Sequence, residues 1–258
     1  MNRVKIDIIR LGESKYTDEW NFLKKLKKKR KSNLFEILNI NQISLPQSDF
    51  VGKNDTCENV TCENDTCDFW GYTDSSLLNL IRVSEEADYT LCFIDYPLED
   101  DYFTRLLSAN IAVATFYETN KIFSEWNVDL KNFILLQIYL VVTFSKLSSD
   151  NAMESLLEYF HDETRGCLFD MCGIKEDIIV SATNPKLCFE CETKFRKIQL
   201  DVRFLDTLKK ELRRIKKSLY FRITDWIKKH PIFSLIIATT FTVLLNLVSS
   251  FIFDLITG

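Results

Sequence analysis

The chain has 258 residues and a net charge of −4, from 33 basic and 37 acidic side chains. This length suits one large domain with appendages, and the acidic balance argues against a nucleic-acid partner. With only six glycines and four prolines, a loop-rich or repetitive β protein is excluded. The two histidines, His161 and His230, are too few for one chain to assemble a three-histidine metal site.

The hydrophobic pattern predicts an α/β domain with a mixed sheet. Predicted strands cover residues 3–9, 34–43, 89–95 and 110–117, and predicted helices cover residues 17–31, 75–83 and 133–144. The last of these segments is strongly apolar but too short to cross a bilayer, so we expect it to be the central buried helix. Strands that alternate with helices in this way are typical of the α/β class.

Residues 54–68 repeat with a period of five and are acidic, which predicts a low-complexity surface loop. The loop contains Cys57, Cys62 and Cys67, but their spacing is not a common zinc spacing. It also contains three N-glycosylation sequons, at Asn54, Asn59 and Asn64. These would matter only in a secreted or lumenal protein.

Two close pairs of cysteines predict a structural zinc site. Four residues separate Cys167 from Cys172, and two separate Cys188 from Cys191. In a reducing compartment such pairs favour tetrahedral zinc over disulfides. His161 is an alternative fourth ligand in place of Cys172, and both sets stay open. Either set fills the metal's coordination shell, so the zinc would stabilise the fold and not catalyse.

This cysteine pattern resembles that of the archaemetzincins, zinc peptidases of the metzincin type. Their motif HExxHxxGxxHC runs into Cys-x4-Cys and ends with Cys-x2-Cys. The matching segments here are GCLFDMC at 166–172 and CFEC at 188–191, and the resemblance extends in order over residues 4–194. It implies a zincin-like fold: a mixed sheet with helices and a structural zinc knuckle.

The chain departs from that family at the active site. Counting back from the first cysteine, the three catalytic histidines would fall on Leu156, Phe160 and Gly166, and the glutamate base on Leu157. No HExxH occurs anywhere in the sequence. The resemblance therefore implies a pseudoenzyme with no catalytic metal and no peptidase activity.

Residues 232–253 are 22 residues without a charge, and as a helix they would span about 33 Å, close to the thickness of a bilayer core. The basic residues Lys216, Lys217, Arg222, Lys228 and Lys229 lie shortly before this stretch, whereas only Asp254 follows it. That asymmetry predicts a single-pass, tail-anchored protein with a cytoplasmic N-terminal part. We expect three regions: a zincin-like domain at 1–198, a basic amphipathic linker helix at 199–230 and a transmembrane anchor at 231–258.

Five apolar residues of the linker recur at intervals of three and four: Leu205, Leu208, Leu212, Ile215 and Leu219. This spacing suits a coiled coil in a homo-oligomer, in which Asn246 would bond between membrane helices. It equally suits an amphipathic helix that packs on its own domain or lies on the bilayer surface. The two alternatives stay open.

The favoured function is a catalytically inactive zincin-like module on the membrane. It would sense or scaffold an unidentified protein or peptide partner and couple that event to a transmembrane effector helix. By analogy, small proteins of this architecture act in bacterial phage defence. The alternative is a membrane-anchored hydrolase with a non-standard site, built on carboxylates among Asp95, Glu99, Asp100, Asp162, Glu163 and Asp170.

Overall fold

The computed structural model describes residues 2–13, 15–51, 71–147, 156–162 and 164–257. It divides into two compact units, Met1–Lys216 and Lys217–Gly258. The predicted loop at 54–68, with its three cysteines and three sequons, lies outside the described residues, as does Glu163.

The first unit is built on a five-stranded mixed sheet. The strands in the described residues are β1 (Val4–Leu11), β2 (Phe35–Ile43), β3 (Phe50–Val51), β4 (Gly71–Tyr72), β5 (Tyr89–Ile94), β6 (Thr104–Ser108) and β7 (Ile111–Thr115). Strands β3 and β4 form a separate two-stranded pair, and the other five form the main sheet. The sheet order is β2-β1-β5-β7-β6, and all neighbours are parallel except β6 and β7, which are antiparallel. The predicted α/β class with a mixed sheet is confirmed.

Seven helices of the first unit lie in the described residues: α1 (Thr17–Lys29), α2 (Asp74–Leu80), α3 (Thr119–Glu125), α4 (Leu130–Leu147), α5 (Ile178–Thr183), α6 (Phe189–Lys197) and α7 (Val202–Leu212). The second unit consists of α8 (Leu219–Lys229) and α9 (Pro231–Thr257). Helix α4 is long and apolar enough to cross a membrane, but 78% of it is buried inside the unit. It is the central buried helix that the sequence predicts.

The alternating side chains of the sheet form two apolar layers. Ile6, Ile8 and Phe93 belong to the larger layer, which also contains α4, whereas Ile9 and Ile94 belong to a smaller layer that includes Leu77 of α2. Beyond α4, the larger layer continues into a cluster of aromatic rings whose neighbouring centroids lie 5.4–6.2 Å apart: Phe144, Tyr159, Phe160, Phe169 and Phe195. These rings support the segment that carries the cysteines.

The apolar stripe of the predicted linker packs inside the first unit. Leu205, Leu208, Leu212 and Ile215 are at most 2% exposed, so they cannot also pair with a second chain. The coiled-coil alternative for this stripe is therefore wrong, and the intramolecular one is correct. Self-association of the chain stays a prediction, but this face does not support it.

A buried carboxylate fixes α7 in place. Glu211 is 3% exposed, and its oxygens accept hydrogen bonds from Ser32 Oγ at 2.6 Å, the Asn33 N–H at 2.9 Å and Tyr139 Oη at 3.0 Å. These bonds tie α7 to α4 and to the connection between α1 and β2. The first unit therefore extends to Lys216 and does not end at the predicted boundary of 198.

The predicted single helix at 199–230 is instead two helices in different units. Helix α7 ends at Leu212, and α8 begins at Leu219. Leu219, the last member of the predicted stripe, is 69% exposed, unlike the other four. A heptad pattern in the sequence can thus continue past the end of a helix without indicating that the helix ends.

Candidate metal centre

Four side chains from two neighbouring segments converge on one point. The ligand atoms of His161, Cys167, Cys188 and Cys191 all lie within 4.8 Å of one another. His161 Nε2 lies 3.2 Å from Cys191 Sγ and 3.5 Å from Cys188 Sγ, and the sulfurs of Cys167 and Cys191 are 3.8 Å apart. These four residues could hold one metal ion.

The distances suit tetrahedral zinc. With Zn–S and Zn–N bonds of about 2.3 Å and 2.1 Å, a regular tetrahedron has S···S edges of about 3.8 Å and N···S edges of about 3.6 Å. The distances from the two cysteine sulfurs to the imidazole nitrogen, 3.2 and 3.5 Å, and the sulfur pair at 3.8 Å fall close to these edges. Three thiolates and one imidazole are also a donor set that zinc prefers.

Short backbone pairings bring the ligands together. His161 lies beside Asp170, because its N–H donates to Phe169 O at 3.1 Å and its carbonyl accepts from the Met171 N–H at 3.0 Å. Cys167 lies beside Lys186 in a second parallel bridge. Cys188 follows Lys186 by two residues, so this bridge places it next to Cys167.

Glycine is needed at the turn before Cys167. Gly166 has a φ of +85°, and a Cβ there would lie 3.2 Å from Asn184 O. Both the left-handed backbone and the close approach disfavour any larger residue. The carbonyl of Gly166 accepts from the Lys186 N–H at 2.8 Å, which closes the turn that presents Cys167.

The Cys-x2-Cys pair begins a helix. Cys188 is the N-cap of α6, and its sulfur accepts a hydrogen bond from the Cys191 N–H at 3.4 Å. The unpaired N–H groups of a helix's first turn point toward the N-cap residue, so they orient its sulfur. The helix start thus prepares Cys188 as a metal ligand.

The thiols of Cys167 and Cys191 compete for ionisation. The hydrogen bond between the Cys167 and Cys191 sulfurs lowers the pKa of Cys167 to about 5, opposed by burial and aided by the backbone of Phe169 and Cys188. The same contact with Cys167, together with burial, raises the pKa of Cys191. Ionisation of the Cys167 thiol therefore disfavours ionisation of the Cys191 thiol. A bound dication removes this conflict because it stabilises all three thiolates.

Cys172 lies outside the group. Its φ is +54°, and its thiol lies 3.6 Å from Asp170 O and 3.9 Å from Ser181 Oγ. Burial and the neighbouring Asp170 carboxylate raise its pKa to about 12, so it is a protonated thiol at neutral pH. Of the two ligand sets that the sequence leaves open, the structure brings together the one with His161.

The positions that the resemblance assigns to catalytic histidines hold no ligand. Leu156 is fully buried in the core, and Gly166 forms the turn described above. Phe160 and Leu157 instead line a cavity of about 420 Å³. Among the described residues, no second group of metal-binding side chains is close enough to hold an ion.

This cavity lies beside the sheet edge. Strand β6 lines it with Thr104 and Leu106, helix α4 with Leu136, Gln137 and Leu140, and the cysteine segment with Leu168, Asp170 and Cys172. Most of the lining is apolar. The cavity and the metal centre share a wall at Cys167, which contributes to both.

Sequence reasoning missed the polar rim of this cavity. Arg105 of β6 pairs with Asp74 at 2.6 Å and with Asp100 at 2.8 Å. Asp74 Oδ1 and Asp170 Oδ2 are buried and have no hydrogen-bond partner in the described part of the chain. Asp74 begins α2 and comes 31 residues before Arg105, so no local motif marks the pair.

The candidate carboxylates for hydrolysis are scattered. Asp95 lies 3.8 Å from Lys15, Glu99 accepts from the Asp74 N–H at 2.9 Å, and Asp162 accepts from the Gly173 N–H at 3.4 Å. Of the five candidates that the structure describes, only Asp170 lines the cavity. Within the described ranges no histidine lines the cavity, so no nucleophile–histidine–acid set forms there.

Comparisons with known proteins give a likeness of fold. No family model and no curated protein sequence matches the chain. An archaemetzincin structure from Methanopyrus kandleri is 13% identical with a TM-score of 0.42, and covers 76% of this chain and 94% of its own. An archaemetzincin from Archaeoglobus fulgidus, complexed with malonate, is 14% identical with a TM-score of 0.45, and covers 74% and 99%. Both belong to the family that the sequence resembles.

Proposed function

We propose that the chain is a membrane-anchored, zinc-stabilised module that binds an extended segment of a protein or peptide without cleaving it. The observation that carries this proposal is the apolar cavity beside the edge strand β6. Phe160 and Leu157 line it at two positions where the resemblance implies a metal ligand and a base. A cleft of this kind can hold a side chain, and its described lining contains no histidine and no group of ligands for a catalytic metal.

Zinc at His161, Cys167, Cys188 and Cys191 would be structural. Four protein donors complete a tetrahedral shell and leave no position for water or a substrate carbonyl. When bound, the ion contributes folding free energy, because it holds the 161–167 segment against the start of α6. His161 Nδ1 is buried with no partner in the described residues, so the contacts of Nε2 with the sulfurs orient the ring.

Strand β6 offers its outer edge to a peptide. It is the last strand of the sheet, and no described strand pairs with its outer side. The Thr115 N–H donates to Phe103 O at 2.9 Å. Because inward and outward groups alternate along an antiparallel strand, the backbone N–H and C=O of Thr104 point outward. An extended segment can add there as a further strand.

The cavity would select one side chain of such a segment. Thr104 and Leu106 lie two residues apart on the strand and both line it, so they share one face of the sheet. Every second side chain of an added strand projects to that same face. With Leu140, Phe160 and Leu168 as walls, an apolar side chain is favoured.

The anchor is α9. Its window Pro231–Ser249 has a mean hydropathy of 2.1, and none of it is buried. With the basic residues before it, this supports a single-pass protein whose first unit is cytoplasmic. Alkaline carbonate extraction of membranes should leave the chain in the pellet, and protease added to sealed cells should not reach the first unit. A role in phage defence stays a prediction by analogy.

The test of binding uses a matched pair of variants at one position. Full-length chain in detergent is panned against a random peptide library, and bound peptides are recovered and measured for affinity and cleavage. Thr104→Pro removes the outward N–H, which an edge strand tolerates, and should abolish capture. Thr104→Val loses only the hydroxyl, which donates to Gln137 Oε1 at 2.8 Å, and should retain it.

Two outcomes would contradict the proposal. Peptides captured equally by Thr104→Pro and the wild type, with both chains folded by circular dichroism, would show that the edge is not used. Captured peptides that are cleaved by the purified wild type, with cleavage stopped by a chelator, would show a peptidase.

A further inference from the structure

The short helix α8 presents an apolar face that no described residue of its own unit covers. Its exposed apolar side chains are Leu219 (69%), Tyr220 (71%), Ile223 (48%), Trp226 (43%) and Ile227 (44%). At about 100° per residue they fall within one arc of about 120°. With 11 residues, α8 is too short to cross a bilayer.

The charges around this face are basic. Residues 216–229 contain five Lys or Arg and a single acid, Asp225. Asp225 is already paired, since Lys217 Nζ donates to it at 2.9 Å. By the same helical geometry, Arg222 and Lys229 lie to one side of the apolar arc and Lys228 to the other. The face is therefore apolar in the middle and positive at its borders.

We infer that α8 lies in the headgroup layer of an anionic membrane, with its apolar face toward the hydrocarbon core and its basic residues among the phosphates. Three features select a lipid surface. Trp226 and Tyr220 are the residue types enriched at membrane interfaces. The positive borders suit anionic lipid and would repel a second copy of the same face. Only His230 separates α8 from α9, so this inference rests on the proposed anchoring by α9.

The test places the same new charge at two neighbouring positions of α8, one inside the apolar arc and one outside it. Full-length chain is reconstituted into vesicles of phosphatidylcholine with or without phosphatidylglycerol, and amide hydrogen exchange is followed across residues 219–229. We expect protection that increases with phosphatidylglycerol and decreases with salt. Ile223→Asp, inside the arc, should abolish this dependence. Thr224→Asp, outside the arc, adds the same charge and should reduce protection only about fivefold, the effect of about 1 kcal/mol.

The outcomes separate this inference from the anchoring proposal. A chain that alkaline carbonate removes from the vesicles would refute anchoring itself. A chain that stays anchored, but whose α8 exchanges equally in both lipids, would overturn the inference alone. So would protection that grows with protein concentration, which indicates a second copy, or protection that persists unchanged in detergent, which indicates packing within the chain.

Discussion

Replacing His161 with alanine should release the zinc, whereas replacing Cys172 with serine should not. The structure places His161 Nε2 at 3.2 and 3.5 Å from two of the cysteine sulfurs. It places the Cys172 thiol against Asp170 and Ser181 instead. A third variant, His161→Cys, restores a fourth thiolate and should retain the metal more tightly than His161→Ala does.

The expected loss of zinc affinity follows from the share of the binding free energy that each of the four ligands contributes. Structural zinc sites contribute about 10–16 kcal/mol of apparent binding free energy, or about 2.5–4 kcal/mol for each of four ligands. At about 1.4 kcal/mol per factor of ten, His161→Ala should weaken zinc binding by about two to three powers of ten. Cys172→Ser should change the zinc affinity by less than about tenfold, because its sulfur contacts no ligand atom.

Zinc per chain is measured by mass spectrometry of the purified protein, and affinity by competition with a chromogenic chelator. The wild type and Cys172→Ser should each contain one zinc, and circular dichroism controls for folding. The reasoning would be refuted if Cys172→Ser lost the metal while His161→Ala kept it. Wild-type protein purified without zinc would refute the site altogether.

Three further predictions concern stability, measured by urea or thermal unfolding of the full chain. Glu211→Ala should destabilise the first unit by about 3–5 kcal/mol because it leaves three donors unsatisfied, and Tyr139→Phe, which removes one of them, by about 1.5–3 kcal/mol. Leu208→Ala should cost about 2–5 kcal/mol without changing the oligomeric state; a dissociated oligomer with unchanged stability would restore the coiled coil. Burial raises the pKa of Asp95 above 3.8, against the opposing effects of Lys15 and Tyr16, so the folded chain binds this proton more tightly than the unfolded chain. Stability should therefore fall as pH rises from 3.8 through the raised pKa. Asp95→Asn should lack this fall and be the more stable chain at neutral pH; an unchanged pH profile would contradict the argument.

The sequence predicted the elements that are buried on both faces. Strand β5 and helix α4 are continuous apolar runs, and such runs have few structural alternatives. Strand β6 was not predicted, because its sequence TRLLS is short and carries polar residues. Those residues are there because an edge strand is half exposed, which makes this part of the cavity hard to find from the sequence.

The zinc ligands were predicted only as a set with one choice open. Residue spacing identifies the cysteine pairs, but the direction of a thiol depends on the backbone. Cys172 turns away because its φ is +54°, which no spacing rule predicts for a non-glycine residue. For α7 the sequence pattern indicates an apolar stripe but does not identify the partner of that stripe, because a heptad and a buried helix face have nearly the same period. The hydrogen bonds of Glu211 hold α7 inside the first unit, and their donors are distant from it in sequence.

The bond between Ser32 and Glu211 has a consequence for the order in which the protein can fold. It joins residues 179 positions apart, so it closes a very long loop, and contacts of such separation form late. Until α7 docks, Ser32 and Tyr139 lack their acceptor and the core lacks Leu208 and Leu212. The first unit is thus completed by α7, the last helix before the second unit begins. A nascent chain would finish folding its first unit only when α9, its most apolar segment, is about to emerge. The folding of the first unit and the emergence of α9 must therefore be coordinated in time.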